Sequence, residues 1–139
     1  MQVYKTKSPE ETQKIAEFFA SKFKSGGVVA LSGELGAGKT TFVQGFAKGL
    51  GVQGKIISPT FLIIRQYPIP DQKNFFYHID LYRIEKVKLE DLGLKEILTD
   101  PGNIVVIEWP ERIIDFSDYN LKINIESGNE SLRNILVSR

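Results

Sequence analysis

The apolar positions of this chain follow three different spacings, and the places where the spacing changes outline its elements. Ile15, Phe18, Phe19 and Phe23 fall on one face at helical spacing, which predicts a helix packed on a core. Its start is marked by Ser8-Pro9-Glu10-Glu11, where Ser8 can cap, Pro9 suits the first helical position and Glu11 completes a capping box. The helix is expected to run to about Lys24, with Gly26-Gly27 ending it. Val28-Val29-Ala30-Leu31-Ser32 is an unbroken apolar run of the kind a buried strand shows. A Gly-rich turn follows, then a second helix from about Lys39 to Lys48, stopped by Gly49 and Gly51. Residues 61–67 and 75–80 flank Pro68-Ile69-Pro70-Asp71 and predict two strands joined by a turn, at a sheet edge given the prolines. Leu89, Leu92, Leu94 and Ile97 predict a third helix, ending before Asp100-Pro101-Gly102. Ile104-Val105-Val106-Ile107 is again a buried-strand run. Leu121, Ile123 and Ile125 then alternate with polar residues, and a Ser127-Gly128-Asn129 turn leads into 131–137, a closing hairpin. Strands near the front are separated by helices and those near the end are not. This predicts an α/β fold whose mixed sheet is parallel around the Gly-rich turn and antiparallel at one side, with helices covering it.

Composition narrows the class. At 139 residues, with 42% hydrophobic, 25% charged and 11% aromatic residues, the chain has the makeup of one ordinary globular domain. It carries no cysteine, which excludes a disulfide framework, a thiolate metal site and a cysteine nucleophile and suits a cytoplasmic protein. The N-terminal residues lack the apolar core of a signal peptide, and no apolar run is long enough to span a bilayer, so no membrane association is expected. Lys and Arg number 18 against 17 for Asp and Glu, a net charge of +1. Such a balance lacks the basic excess of an autonomous nucleic-acid binder, so any RNA contact is expected to be local or shared with partners.

The chemistry is concentrated in Gly33-Glu34-Leu35-Gly36-Ala37-Gly38-Lys39-Thr40, which satisfies the whole G-x-x-x-x-G-K-[ST] pattern between an apolar strand and a helix. The physics explains the spelling. Glycines let the backbone turn tightly around an anion, successive N–H groups converge on phosphates, and the helix N-terminus adds a favourable dipole. Lys39 is placed to reach the β- and γ-phosphates of a nucleoside triphosphate, Thr40 to ligate Mg²⁺, and Thr41 to serve the α-phosphate side. The expected fold class is thereby sharpened to a P-loop NTPase-like three-layer sandwich.

A nucleoside triphosphate also needs a second group for its metal, usually an acid at the end of a neighbouring buried strand. Ile104-Val105-Val106-Ile107-Glu108 offers one, a Walker B-like arrangement in which Glu108 holds Mg²⁺ through water or orients the attacking water. Asp80, closing Phe75-Phe76-Tyr77-His78-Ile79-Asp80, is the other. No guanine-reading N/T-K-x-D and no D-x-x-G switch is present, which argues against a Ras-type GTPase. The connecting segments are short for the acceptor pocket and lid of a small-molecule kinase, which stays as an alternative beside a nucleotide-gated binding module. No cation is placed by sequence as an arginine finger; Arg65 and Arg83 are the candidates within the chain, and slow turnover in isolation is expected.

Gly33 to Thr41, Ser58-Pro59-Thr60-Phe61, His78-Ile79-Asp80-Leu81-Tyr82-Arg83 and Glu108-Trp109-Pro110 occur in the order and at about the spacing seen in the bacterial TsaE (YjeE) family, which the chain resembles over nearly its whole length. The resemblance implies a P-loop ATPase, with ATP and Mg²⁺ as cofactors, that works with the TsaB–TsaD complex in threonylcarbamoyl modification of adenosine in tRNA. It implies Lys39 and Thr40 as phosphate and Mg²⁺ groups, Asp80 and Glu108 as acids near the metal or the attacking water, and Thr60 as a switch-like γ-phosphate sensor. Trp109 matches a tryptophan beside the family's nucleotide site, although core filling explains a tryptophan after a buried strand equally well. His78, the only histidine, either orients the Asp80 loop, answers to a partner, or is a satisfied structural group. Tyr82 and Arg83 match the family motif as well, while an exposed Arg after a strand is ordinary solvated surface.

Overall fold

The computed structural model describes residues 1–56 and 63–139. Its strands are β1 (Gln2–Thr6), β2 (Gly27–Gly33), β3 (Ile64–Pro68), β4 (Phe75–Asp80), β5 (Ile104–Glu108), β6 (Leu121–Ser127) and β7 (Arg133–Ser138). Its helices are α1 (Pro9–Ala20), α2 (Lys39–Gly49) and α3 (Leu94–Thr99), with 3₁₀ turns at Ser21–Phe23 and Pro110–Arg112. The strands form one sheet in the order β1-β7-β6-β2-β5-β4-β3. β6, β2, β5 and β4 are parallel neighbours. β7 and β1 continue the sheet antiparallel on one side and β3 does so on the other. The mixed sheet is therefore as expected, except that antiparallel strands lie on both flanks rather than one.

The additional strand is β1, which the spacing of apolar residues did not predict. Only Thr6 of its five residues is buried, so the strand carries almost no hydrophobic signal and is held by its register with β7, from Gln2↔Val137 to Thr6↔Arg133. Thr6 and the α1 residue Thr12 share a buried hydroxyl–hydroxyl hydrogen bond of 2.7 Å.

Period-two alternation on buried parallel strands divides the core into two layers. Val29, Leu31, Phe76, Ile104 and Val106 point to the face covered by α1 and α2, where they meet Phe19, Phe42 and Phe46. Val28, Ile79, Val105 and Ile107 point to the opposite face, where Leu81, Val87, Leu94, Leu98 and Ile113 close over them. On β6 only Leu121, Ile123 and Ile125 are buried, with Lys122 and Asn124 exposed, so that end of the second face meets solvent.

α1 begins as its sequence dictates. Ser8 is extended and its Oγ accepts from the Glu11 N–H at 3.2 Å, while Glu11 Oε1 reaches back to the Lys7 N–H at 2.8 Å. The α-helix ends at Ala20, and the Ser21–Phe23 turn tightens it to 3₁₀ geometry just short of the expected Lys24. α2 packs closely on α1 because glycines face it: a Cβ on Gly45 would lie 2.5 Å from Gln13 Cα, and one on Gly49 would lie 2.8 Å from Ala20 Cβ. α3 starts at Leu94, later than the apolar pattern suggests, because Leu92 (φ 59°) and Gly93 (φ 72°) are both left-handed and cannot continue a right-handed helix. Leu89 lies before it, in the segment whose Val87 bridges Ile113.

Candidate nucleotide site

The carboxyl ends of β2, β4 and β5 meet at one edge of the parallel core, which is where open α/β sheets present their binding crevice. From the end of β2 the chain turns through 33–38 into α2. Gly33 is needed because a Cβ there would lie 2.7 Å from the Ile125 carbonyl oxygen of β6. Gly38, the residue preceding α2, has φ 104°, a conformation that strains an L side chain, and as a glycine it brings no side chain to cap the helix. The first-turn N–H groups of α2 are thus left to an external acceptor, and an anion suits them.

Lys39 opens α2 and is 7% exposed. A buried ammonium needs partners. Its Nζ donates to the Gly33 carbonyl at 2.7 Å, lies 4.0 Å from Glu108 Oε1, and stands 4.5 Å from the centroid of the Trp109 ring. Thr40 and Thr41 follow it, both half-buried in the first turn.

Glu108 ends β5 and is 3% exposed. Strand register puts Asp80 directly beside it and His78 beside Val106. Because side chains alternate, His78, Asp80 and Glu108 all point to the α2 face. His78, fully buried, lies 2.5 Å from Glu108 through its Nε2 and the carboxylate Oε2. The two oxygens of Glu108 are thereby divided: Oε2 belongs to His78 and Oε1 faces Lys39. Asp80 is half-buried, and its Oδ1 accepts the Tyr82 N–H at 3.0 Å. Burial raises the Asp80 carboxyl above its ordinary pKa and the Glu108 carboxylate raises it further, against the opposing pull of the Tyr82 N–H, His78 and Lys39.

Trp109 turns the chain away from β5 in the left-handed region, at φ 58°. Its half-buried ring is flanked by Lys39, by Tyr82 at 5.6 Å between centroids, and by the Arg112 guanidinium at 4.9 Å. Arg112 Nη1 also donates to the carbonyls of Tyr82 (3.1 Å) and Ile84 (2.6 Å), tying the segment after Asp80 to the segment after Glu108. Trp109 thus packs on the second core layer and beside Lys39 at once.

Of the residues singled out in the sequence, Lys39, Thr40, Asp80, Glu108 and Trp109 are brought to this edge, with the loop Gly33, Glu34, Leu35, Gly36, Ala37 and Gly38 bordering it. Thr60 and its Ser58-Pro59-Thr60-Phe61 motif lie outside the described residues. Arg65 is in register opposite His78, on the same side of the sheet, whereas Arg83 is exposed. His78 enters the site through Glu108; its two-residue spacing puts it on the same face as Asp80, while its pairing with Glu108 depends on the register of β4 with β5. Arg112 and Arg133, which act on backbone carbonyls, leave no such mark in the sequence.

Among the described residues no group of three or more His, Cys, Asp and Glu side chains could hold a metal ion. Mg²⁺ bound beside phosphate takes one or two carboxylates and leaves the other positions to waters and phosphate oxygens. Asp80 and Glu108 stand side by side at the ends of β4 and β5 and offer carboxylate oxygens of that kind; the Asp80 carboxyl is raised first by its burial and then by the Glu108 charge.

A family model described as threonylcarbamoyl adenosine biosynthesis protein TsaE matches residues 6–135, nearly all of the chain and every part of this site. The chain belongs to the TsaE family. A TsaE from Bacillus subtilis, named as a tRNA threonylcarbamoyladenosine biosynthesis protein, is 42% identical over 133 residues, 95% of this chain and 82% of its own length. The TsaE of Treponema pallidum, named in the same words, is 34% identical over 135 residues, covering 96% of this chain and 97% of its own. The crystal structure of Bacillus subtilis YdiB superposes with a TM-score of 0.76 at 36% identity, over 96% of this chain and 82% of that one. This chain therefore shares its P-loop NTPase-like α/β fold with a solved structure. None of the described helices is long and apolar enough to cross a membrane.

Proposed function

We propose that this TsaE family member binds ATP with Mg²⁺ and hydrolyses it slowly as an accessory protein in threonylcarbamoyl modification of adenosine in tRNA, acting with a TsaB–TsaD complex. The observation that carries the reading is the convergence on Lys39. One ammonium touches the Gly33 end of the phosphate loop, faces one oxygen of Glu108 and borders Trp109. The pathway rests on the names of its relatives, which are tRNA threonylcarbamoyladenosine biosynthesis proteins.

In this reading the loop N–H groups and the N-terminus of α2 bind the phosphates, and Lys39 exchanges its bond to Gly33 for phosphate oxygens. Thr40, Asp80 and Glu108 would hold Mg²⁺, which neutralises charge on the phosphates when bound. Glu108 presents Oε1 toward Lys39 because His78 occupies Oε2, which orients the carboxylate for a water or metal-bound water. Trp109 borders the nucleotide, and Thr60 senses the γ-phosphate. The hydrolysis is direct attack of water, without a covalent enzyme intermediate, so positioning and charge neutralisation supply the rate. Lys39→Ala should retain the fold and lose ATP turnover by about a hundredfold or more. Phosphate release by the purified chain with Mg²⁺ checks this, and a folded variant hydrolysing ATP at the parent rate would remove the loop from the reaction.

A further inference from the structure

We propose that Arg133 is a positioning residue for the phosphate loop, holding the Ala37 carbonyl so that the following N–H of Gly38 is fixed as a donor to nucleotide phosphate. The inference rests on the nucleotide reading above and adds a residue on a distant strand to it. Arg133 is the first residue of β7, paired with Ser127 of β6 and Thr6 of β1, and so is embedded in the antiparallel flank of the sheet. Its Nη1 donates to the carbonyls of Glu130 at 3.0 Å and Leu132 at 2.7 Å, which fixes the guanidinium on its own hairpin. Its Nε, pointing away from that anchor, donates to the Ala37 carbonyl at 2.9 Å.

The Ala37–Gly38 peptide is trans, so a carbonyl held toward β7 turns the Gly38 N–H to the opposite side. The Ala37 N–H donates to the Glu34 carbonyl at 3.1 Å and the Gly38 carbonyl accepts from the Phe42 N–H at 3.0 Å, so Arg133 supplies the hold on the carbonyl between them. Gly36 and Gly38 flank Ala37 with φ 79° and 104°, and glycines in that region rotate at low cost. The bond is also charge-assisted. A guanidinium on the carbonyl end of a peptide polarises it and strengthens its N–H as a donor. None of the ion pairs among the described residues includes Arg133, so its charge is not cancelled beside a loop suited to an anion. Gly38 itself leaves room for the arrangement, because the position of its missing Cβ lies 3.8 Å from Arg133 Nε.

The test compares ADP and AMP binding by the full chain, by Arg133→Gln and by Arg133→Lys, using calorimetry or the fluorescence of the single tryptophan, Trp109. A loop N–H of this kind serves the phosphate beyond the first, so ADP is the sensitive ligand and AMP the control. Arg133→Gln should weaken ADP about tenfold and AMP less than twofold, and Arg133→Lys, which keeps the charge and one donor, should recover part of the ADP affinity. Unchanged ADP affinity in a folded Arg133→Gln would overturn the proposal. So would equal losses for ADP and AMP accompanied by a lower melting temperature in both variants, the signature of a merely structural arginine. A parent chain that binds no ADP would instead fell the nucleotide reading, and this inference with it.

Discussion

The carboxyl of Asp80 is raised chiefly by burial and then by Glu108 beside it, and only in part restored by the Tyr82 N–H, His78 and Lys39. A carboxyl raised in the fold contributes stability that is fully present below its unfolded value, here 3.8, and is lost as the pH climbs through the folded value. At neutral pH, then, the ionised Asp80 works against the ligand-free fold. Asp80→Asn keeps an oxygen for the Tyr82 N–H and removes the charge. It should melt above the parent at pH 7, and the gap should narrow at pH 3.5, below 3.8, as the Asp80 carboxyl takes up its proton. Thermal melts at the two pH values check the sign; an equal or lower melting temperature at pH 7 would contradict it. The same variant should hydrolyse ATP at least tenfold more slowly and need more Mg²⁺ to do so, the stability gained being the mirror of a charge kept for a cation. A Mg²⁺ titration identical to the parent's would take Asp80 out of the metal's surroundings.

Between α1 and α2 the close approach depends on glycines. The apolar face of α1 was legible from Ile15, Phe18, Phe19 and Phe23, yet its partner surface was not, because an absent side chain has no hydrophobic signal. Gly49 reads in sequence as a stop, and in the structure it is both the last residue of α2 and a contact with Glu17 and Ala20. Gly45 is tighter still: a methyl there would meet Gln13 Cα and O at 2.5 Å, both backbone atoms that cannot swing aside. Gly45→Ala should therefore destabilise the fold by roughly 1–3 kcal/mol, although Ala is the better helix former by about 1 kcal/mol in an unpacked helix. Urea unfolding of the variant measures this, and a neutral or stabilising effect would show that the helices can separate at no cost. Other elements were legible to the degree that one side of them is buried. β2, β5 and the β6–β7 hairpin announce themselves by apolar runs or alternation. β1 does not, because four of its five residues are not buried, and the start of α3 was displaced by two left-handed residues, Leu92, whose position fits the helical spacing, and Gly93.

Taken as a whole, the molecule brings to one edge residues far apart in the chain: the loop at 33–38, Lys39, His78, Asp80, Glu108 and, from the far flank, Arg133. The loop was legible because its chemistry needs glycines, a lysine and a hydroxyl at fixed spacing, and the acids because each closes an apolar run. How those groups share the work was not, since the division of Glu108 between His78 and Lys39 depends on strand register and the hold on Ala37 spans 96 residues of sequence. The one cationic side chain in register with the site's histidine is Arg65, on the edge strand β3, opposite His78. An arginine supplied by a chain or its partner is worth about a thousandfold or more in ATP or GTP hydrolysis, so the proposed reading predicts slow turnover alone and faster turnover with a partner. Phosphate release from ATP and from GTP by the full chain with Mg²⁺, with and without a TsaB–TsaD complex and with Lys39→Ala as the blank, tests this most directly. The expected result is slow, ATP-selective release that the complex accelerates and the blank abolishes. Release that prefers GTP, that survives in Lys39→Ala, or that is indifferent to the complex would contradict a partner-coupled ATPase.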